Sequence, residues 1–479
     1  MNMNLVDLKT KWLSNYKTAP EQLKKMAGVK GLISAFNVNI DAVIKITGAT
    51  IEKIIQTHSL DQNLILEDGK KRISSKEDAI RGIVHCFKGG IAEEWLIHDK
   101  EMFFWLNENI GYDKMQMGGQ GGIVANAMAV CGVDPVYVHC ASLPKDQARL
   151  FLDLPNLVTL DEKGKIAQAS KIERKADLPL IHWIIEFNAG DTLTVGDKHF
   201  TCPKANRFIA TYDPLNFKLY INEPFAKQMA SKEINHEYII LSGYQILTKR
   251  NDEGTSGIER IDASKGVLEQ WYHSGEKSIL HLEIASTQDK TIRKYLIDNI
   301  VKNIDSIGFN ERELIDILEV INEHEFAKVC NQKTNSINLF KGMLKIFEYT
   351  NCSRMQLHMF GLYITLQKKG FKITAIQNRN GMQLAAIIAA AKAGTGAIDS
   401  ADVLLWAKDR EVSDVGLKEL NQLVEYITSE FGENNLLEDG IFENDQLAII
   451  AVPTIIIDKP LTLVGMGDTI SSISLVGAR

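Results

Sequence analysis

The sequence predicts an α/β protein with a parallel sheet, into which a shorter antiparallel sheet is inserted. Short apolar strand segments alternate with amphipathic helical segments along most of the chain. Glycine-rich turns stand where several of those strands end. Between about Leu160 and Tyr212 the texture changes to short strands separated by tight turns.

Gly31–Phe36 is the first strand candidate and leads into Asn37-Val-Asn39-Ile-Asp41. Helical patterns follow at Ile51–Thr57 and Lys76–Phe87. Gly118-Gly119-Gln120-Gly121-Gly122 opens an alanine-rich helix over Ile123–Val130, and Val136–Cys140 is the next buried strand. Leu180–Phe187, Asp191–Val195 and Arg207–Tyr212 read as an inserted antiparallel sheet, with turns at Asn188–Gly190 and Gly196–Lys198. The α/β pattern then resumes. Strands are expected at Tyr238–Ser242, Ser278–Glu283 and Ser306–Phe309, and helices at Gly257–Ser274, Thr291–Val301, Glu311–Ile321 and Gly381–Ala393. Gln446–Ile457 and Leu461–Val464 read as a closing hairpin across Asp458-Lys459-Pro460, which makes the sheet mixed.

A chain of 479 residues buries a sizeable core and has room for more than one domain. Hydrophobic residues at 45% and charged residues at 24% are those of a globular protein in water. The net charge of −7 disfavours nucleic acid as a partner but leaves room for an anionic substrate in a locally basic cleft. Six cysteines without a C-x-x-C pair, several in apolar runs, suit buried thiols and a reducing cytoplasm. Met1–Lys11 carries no apolar signal core, and no apolar run is long enough to span a membrane.

Chemistry concentrates at the expected strand ends. Gly465-Met466-Gly467-Asp468 puts two glycines and a carboxylate at the mouth of a helix. Glycines let backbone N–H groups approach an anion, and the helix dipole favours one. A carboxylate beside a phosphate suits proton abstraction from an attacking hydroxyl, although Asp is also a common helix cap. Asn39 and Asp41 share one face of an extended segment and suit a polyhydroxylated ligand, or an Asx turn. Gly118–Gly122 is neither a P-loop nor G-x-G-x-x-G; it serves either close backbone approach to a ligand or tight packing. His281 and Glu283 face the same way on a strand end. Asn310 and Glu313 form a capping box or, with neighbouring acids, a hold for hydrated Mg²⁺.

Taken in order, Phe36–Asp41, Gly118–Gly122, His281-Leu-Glu283, Asn310-Glu-Arg-Glu313 and Gly465–Asp468 resemble the archaeal ADP-dependent glucokinase and phosphofructokinase family of the ribokinase-like superfamily. The resemblance runs over most of the chain. It implies a three-layer α/β/α sandwich for residues 1–42, 112–159 and 213–479, which binds the nucleotide, and a β-rich lid from residues 43–111 and 160–212. It further implies Asp468 as the catalytic base and Gly465 and Gly467 in an anion hole. Asn310 falls in the phosphate-side motif, and Glu283, Glu313 and Asp468 fall around Mg²⁺, with His281 in the motif of Glu283. Asn39, Asp41, Gly119 and Gln120 match sugar-contacting positions, and Arg207 matches a phosphate-facing lid arginine. A glutamate that marks glucose-using members corresponds to Glu94, or to Glu93 after a one-residue slip. Lys171, Arg174, Lys175 and Arg207 are the basic groups available for the phosphate of fructose 6-phosphate, while Leu180 offers no charge. The expected reaction takes the β-phosphoryl of ADP to glucose or fructose 6-phosphate and leaves AMP. The enzyme is expected to be cytoplasmic and monomeric, without nucleic-acid or membrane partners. A non-catalytic nucleotide- or sugar-binding regulator on the same fold is the alternative. A dinucleotide oxidoreductase is disfavoured, because Asn39 and Asp41 stand where its glycines would be.

Overall fold

The computed structural model describes residues 5–69, 71–97, 99–249, 254–274, 278–287 and 289–479. The first four residues of the Met1–Lys11 segment therefore lie outside the described residues.

Among the described residues, eleven strands form the main sheet. Its parallel run passes from Arg354–Met359 through Ser306–Phe309, Ile279–Glu283, Tyr238–Leu241, Lys30–Ala35 and Asp134–Val138 to Leu157–Leu160. Tyr238–Leu241 and Ser306–Phe309 are buried along their whole length, as parallel strands covered by helices on both faces must be. Ile166–Gln168 closes one edge antiparallel. Leu362–Lys368, Leu447–Pro453 and Ile441–Glu443 close the other.

The expected hairpin across Asp458–Pro460 does not form. Residues 461–464 are not a strand, and Leu447–Pro453 pairs instead with Leu362–Lys368 and Ile441–Glu443. A strand needs both a ladder partner and a face to bury. Leu461 and Leu463 remain 70% and 68% exposed, and Pro460 has no N–H to give a ladder. Sequence reading also passed over the Arg354–Met359 and Leu362–Lys368 hairpin, and it began the Ala375–Thr395 helix too late.

A second sheet, of six strands among the described residues, has its own core, centred on Trp95, Trp183, Phe87, Phe103 and Phe208. The order runs Arg72–Ile73, Glu93–Ile97, Asn206–Tyr212, Ile181–Phe187, Asn39–Lys45, Lys114–Gly118. It is mixed rather than antiparallel: Ile181–Phe187 pairs antiparallel with Asn206–Tyr212 but parallel with Asn39–Lys45. Thr192–Val195 and Lys198–Thr201 form a separate hairpin. The small sheet takes in Asn39 on one side and Lys114–Gly118 on the other, beyond residues 43–111, whereas Ile166–Gln168 belongs to the main sheet.

The two-residue period of a strand sorts the small sheet into two faces. Trp183, Ile185, Phe208 and Ala210 enter its core. Asp41, His182, Ile184, Arg207 and Ile209 line the cleft between the sheets. The register reinforces the sorting, pairing Asp41 with His182, Ile184 with Ile209 and Arg207 with Glu186.

Candidate active site

The helix Met466–Val476 begins at Gly465, whose φ of 61° is left-handed and favours glycine. The first-turn N–H groups have no partner within the helix, so the turn is suited to an anion. Asp468 sits in that turn and is 7% exposed. Its Oδ1 accepts a hydrogen bond from Gln120 Nε2 at 2.7 Å. Burial raises the carboxyl above its ordinary range, opposed by the Gln120 hydrogen bond and the charge of Lys392.

Gln120 belongs to the glycine loop, which folds against the Asn37–Asp41 segment. Gly119 has φ +74°, and Gly121 N donates to Asn37 O at 2.8 Å. A Cβ at Gly118 would stand 2.2 Å from Asp41 Oδ1 and 2.4 Å from Asn39 Nδ2. The loop therefore packs closely and also presents the Gln120 side chain to the cleft. The helix starts at Gln120, so Gly121 and Gly122 lie inside it rather than before it.

Asn39, Asp41, Glu94, Gly119, Gln120, Arg207, Gly465 and Asp468 line one cleft of about 560 Å³. Asn39 Nδ2 donates to Asp41 Oδ1 at 3.0 Å, and buried Asn39 Oδ1 has no hydrogen-bond partner among the described residues. Thr211 Oγ1 donates to Glu94 Oε1 at 2.6 Å. Glu93 points to the other face of its strand, where it meets Lys71 at 2.6 Å and accepts from Trp95 Nε1 at 2.9 Å. The alternation of one strand thus separates the two glutamates, and only Glu94 faces the cleft.

His182, which sequence reading passed over, stands between Asp41 and Glu94, 3.2 Å from Asp213 Oδ2. Burial would lower its pKa. The Asp213 hydrogen bond and the charges of Glu94, Asp213 and Asp41 outweigh that and raise it to about 9. Of the basic groups expected for a sugar phosphate, Arg207 alone lines this cleft. Arg174 is buried and donates to Cys140 O and Leu160 O, Lys171 pairs with Asp153, and Lys175 is exposed outside the cleft lining. Lys114 lines the cleft instead.

Behind the Gly465–Asp468 turn lies a buried trio, Glu283, Glu313 and His358, whose ligand atoms all fall within 4.8 Å of one another. His358 Nε2 is 3.2 Å from Glu283 Oε1, and a Cβ on Gly467 would approach that nitrogen to 2.9 Å. Asn310 and Glu313 do form a capping box, with bonds of 2.8 and 3.0 Å. Burial, and then the negative charge of Asp468, raises Glu283 well above the usual carboxylate range. Burial also carries Glu313 to about 8, opposed by the Asn310 backbone N–H and helped by the charge of Asp468. His281 does not complete this trio. Its two nitrogens meet Ser306 and Ser471 at 2.9 and 2.8 Å inside the core, and the third member is His358.

Residues 30–477 match the family model described as the ADP-specific phosphofructokinase/glucokinase conserved region. The chain belongs to this family. It is 33% identical over 475 residues to an ADP-dependent glucose/glucosamine kinase from Pyrococcus furiosus, covering 97% of this chain and 98% of the relative. Its fold matches the last common ancestor of ADP-dependent phosphofructokinases from Methanosarcinales, with a TM-score of 0.87, 27% identity and 99% of each chain covered. It also matches an ADP-dependent kinase in complex with fructose-6-phosphate and ADPβS, with a TM-score of 0.80, 26% identity and 99% and 98% covered. The ADP-dependent kinase family thus fits both the chain's length and its ribokinase-like α/β architecture. Sequence reading missed Lys392, His182, His358 and Thr211 in this site, because their partners lie far away in the chain. All six cysteines are free and buried, and no helix among the described residues is long and apolar enough to cross a membrane.

Proposed function

We propose that this kinase transfers the β-phosphoryl group of ADP to a hydroxyl of glucose, giving AMP and the sugar phosphate. The observation that carries this reading is Asp468: a buried carboxylate in an anion-binding helix turn, tied through Gln120 to the loop that borders Asn39 and Asp41. Asn39, Asp41 and Glu94 bind sugar hydroxyls. Asp468 takes the proton of the attacking hydroxyl as the O–P bond forms, and the bridge between the β-phosphorus and the AMP oxygen breaks. The N–H groups of the Gly465–Asp468 turn carry the charge that develops on the transferring oxygens. The small sheet closes over the cleft as a lid and keeps out water that would hydrolyse the donor.

Mg²⁺ suits the Glu283 and Glu313 carboxylates, since it is held by few protein oxygens and several waters, and it would neutralise charge on the donor phosphates. Burial raises both glutamates, and the charge of Asp468 adds to it, so a cation held there would favour their charged forms. Glu313→Gln should raise the Mg²⁺ concentration needed for half-maximal rate. A role confined to capping predicts instead a stability loss of about 1 kcal/mol and an unchanged Mg²⁺ titration.

Glucose is preferred over fructose 6-phosphate because Glu94 is held toward the cleft by Thr211, while Lys171 and Arg174 are engaged elsewhere. Arg207 and Lys114 support fructose 6-phosphate as a second acceptor. AMP formation from ADP, measured with each sugar, decides between them. A kcat/KM higher for fructose 6-phosphate would reverse the order, and no AMP with either sugar would leave the regulator reading.

A further inference from the structure

A lysine is built in behind the turn that carries Asp468. Lys392 lies in the last turn of the Ala375–Thr395 helix and is 9% exposed. Its Nζ donates to Gly465 O and to Thr469 Oγ1, each at 3.0 Å, and Thr469 Oγ1 donates to the same carbonyl at 2.8 Å. Among the described residues, no carboxylate lies within 4.0 Å of this ammonium. A buried charge without an ion pair is costly. Here burial lowers its pKa to about 8, and the charge of Asp468 opposes that fall.

The geometry says what the lysine does at this position. A peptide unit is planar and trans, so its C=O and the following N–H point opposite ways. Drawing Gly465 O toward Lys392 therefore turns Met466 N–H away from the lysine. Thr469 N also donates to Gly465 O, at 3.2 Å, as the first backbone bond of the helix, and Lys392 adds a charged donor to that carbonyl where the left-handed φ of Gly465 turns the chain into the helix. We propose that Lys392 is a positioning residue for phosphoryl transfer: by holding Gly465 O and Thr469 Oγ1 it fixes the orientation of the anion-binding turn and supplies a positive charge behind Asp468. This inference rests on the kinase reading above.

A cavity of about 240 Å³, lined by Ile123, Asn126, Gly396 and Thr469 among others, reaches Lys392. A shortened side chain would leave room there for a small ammonium ion. The test compares the parent with Lys392→Ala, Lys392→Met and Thr469→Val, using ADP and glucose. Lys392→Ala should lose about ten- to a hundredfold in kcat, the scale of a small misplacement of a reacting group, with glucose KM little changed. Methylammonium should restore kcat in Lys392→Ala saturably, and leave Lys392→Met and the parent unaffected. Thr469→Val, which keeps the packing, should lower kcat in the same direction by less. The inference is overturned if kcat in the lysine variants stays within about twofold of the parent, far below that scale. It is also overturned if methylammonium has no effect on folded Lys392→Ala, or, should both lysine variants fail to fold, if Thr469→Val turns over like the parent. A parent that forms no AMP from ADP refutes the kinase reading itself, which is a different result.

Discussion

Asp468 is where residue-scale chemistry is most exposed to test. It is buried, it faces the cleft, and Gln120 holds it. Asp468→Asn keeps the shape and removes the proposed base, so turnover should fall by at least ~10²–10⁴-fold while glucose binding, read by calorimetry, persists. Turnover within about tenfold of the parent would take Asp468 out of the proton transfer. Glu93 and Glu94 give a second test from adjacent positions. Glu94→Ala removes a charge-assisted acceptor from the cleft and should cost roughly 1.5–3 kcal/mol in kcat/KM for glucose, and less for fructose 6-phosphate. Glu93→Ala breaks its contacts with Lys71 and Trp95 on the opposite face and should leave the ratio between the two sugars unchanged. An equal effect of both substitutions on that ratio would sink the assignment.

Among the elements, the glycine loop shows how local sequence and distant packing share the work. Its four glycines read equally as a ligand loop or as a packing device; the structure shows the close packing and places Gly119 and Gln120 on the cleft. Gly118→Ala would press a methyl group into Asp41 and Asn39. It should raise glucose KM by an order of magnitude or so, the scale of an ångström-sized displacement of a binding group, with kcat less affected. A KM equal to the parent's would mean that the pair is not a sugar contact. Strands with uniform apolar character, such as Tyr238–Leu241, were legible because burial on both faces leaves one reading. Leu461–Val464 misled for the converse reason: alternating apolar residues look like a strand wherever they stand, and only the missing ladder partner shows otherwise. Lys392 was illegible because a lysine near a helix C-terminus is ordinarily a solvated cation. His182 read as one polar residue in a strand, since Asp213 joins it only after the chain turns through Tyr212.

At the scale of the whole molecule, the His182–Asp213 pair ties the small sheet to the chain that returns to the main one. The folded pKa of His182, about 9, lies above the ordinary 6.5. The charged pair therefore adds its full stability below about pH 6.5, and that contribution falls away as pH rises through about 9. Melting temperatures of the parent and His182→Gln should differ most in acid and converge by about pH 10, above the folded value. A difference that widens with pH would reverse the assigned sign.

The cleft joins the two sheets, and its residues come from both ends of the chain, from Asn39 to Asp468. The account's central claim is that this joint site moves the β-phosphoryl group of ADP to a sugar. ADP labelled at its β-phosphorus, incubated with the enzyme, Mg²⁺ and glucose, tests it most directly. The account predicts label on the sugar phosphate in one-to-one yield with unlabelled AMP. Label released as inorganic phosphate, or left on ADP while the enzyme is folded and binds both ligands, would contradict it.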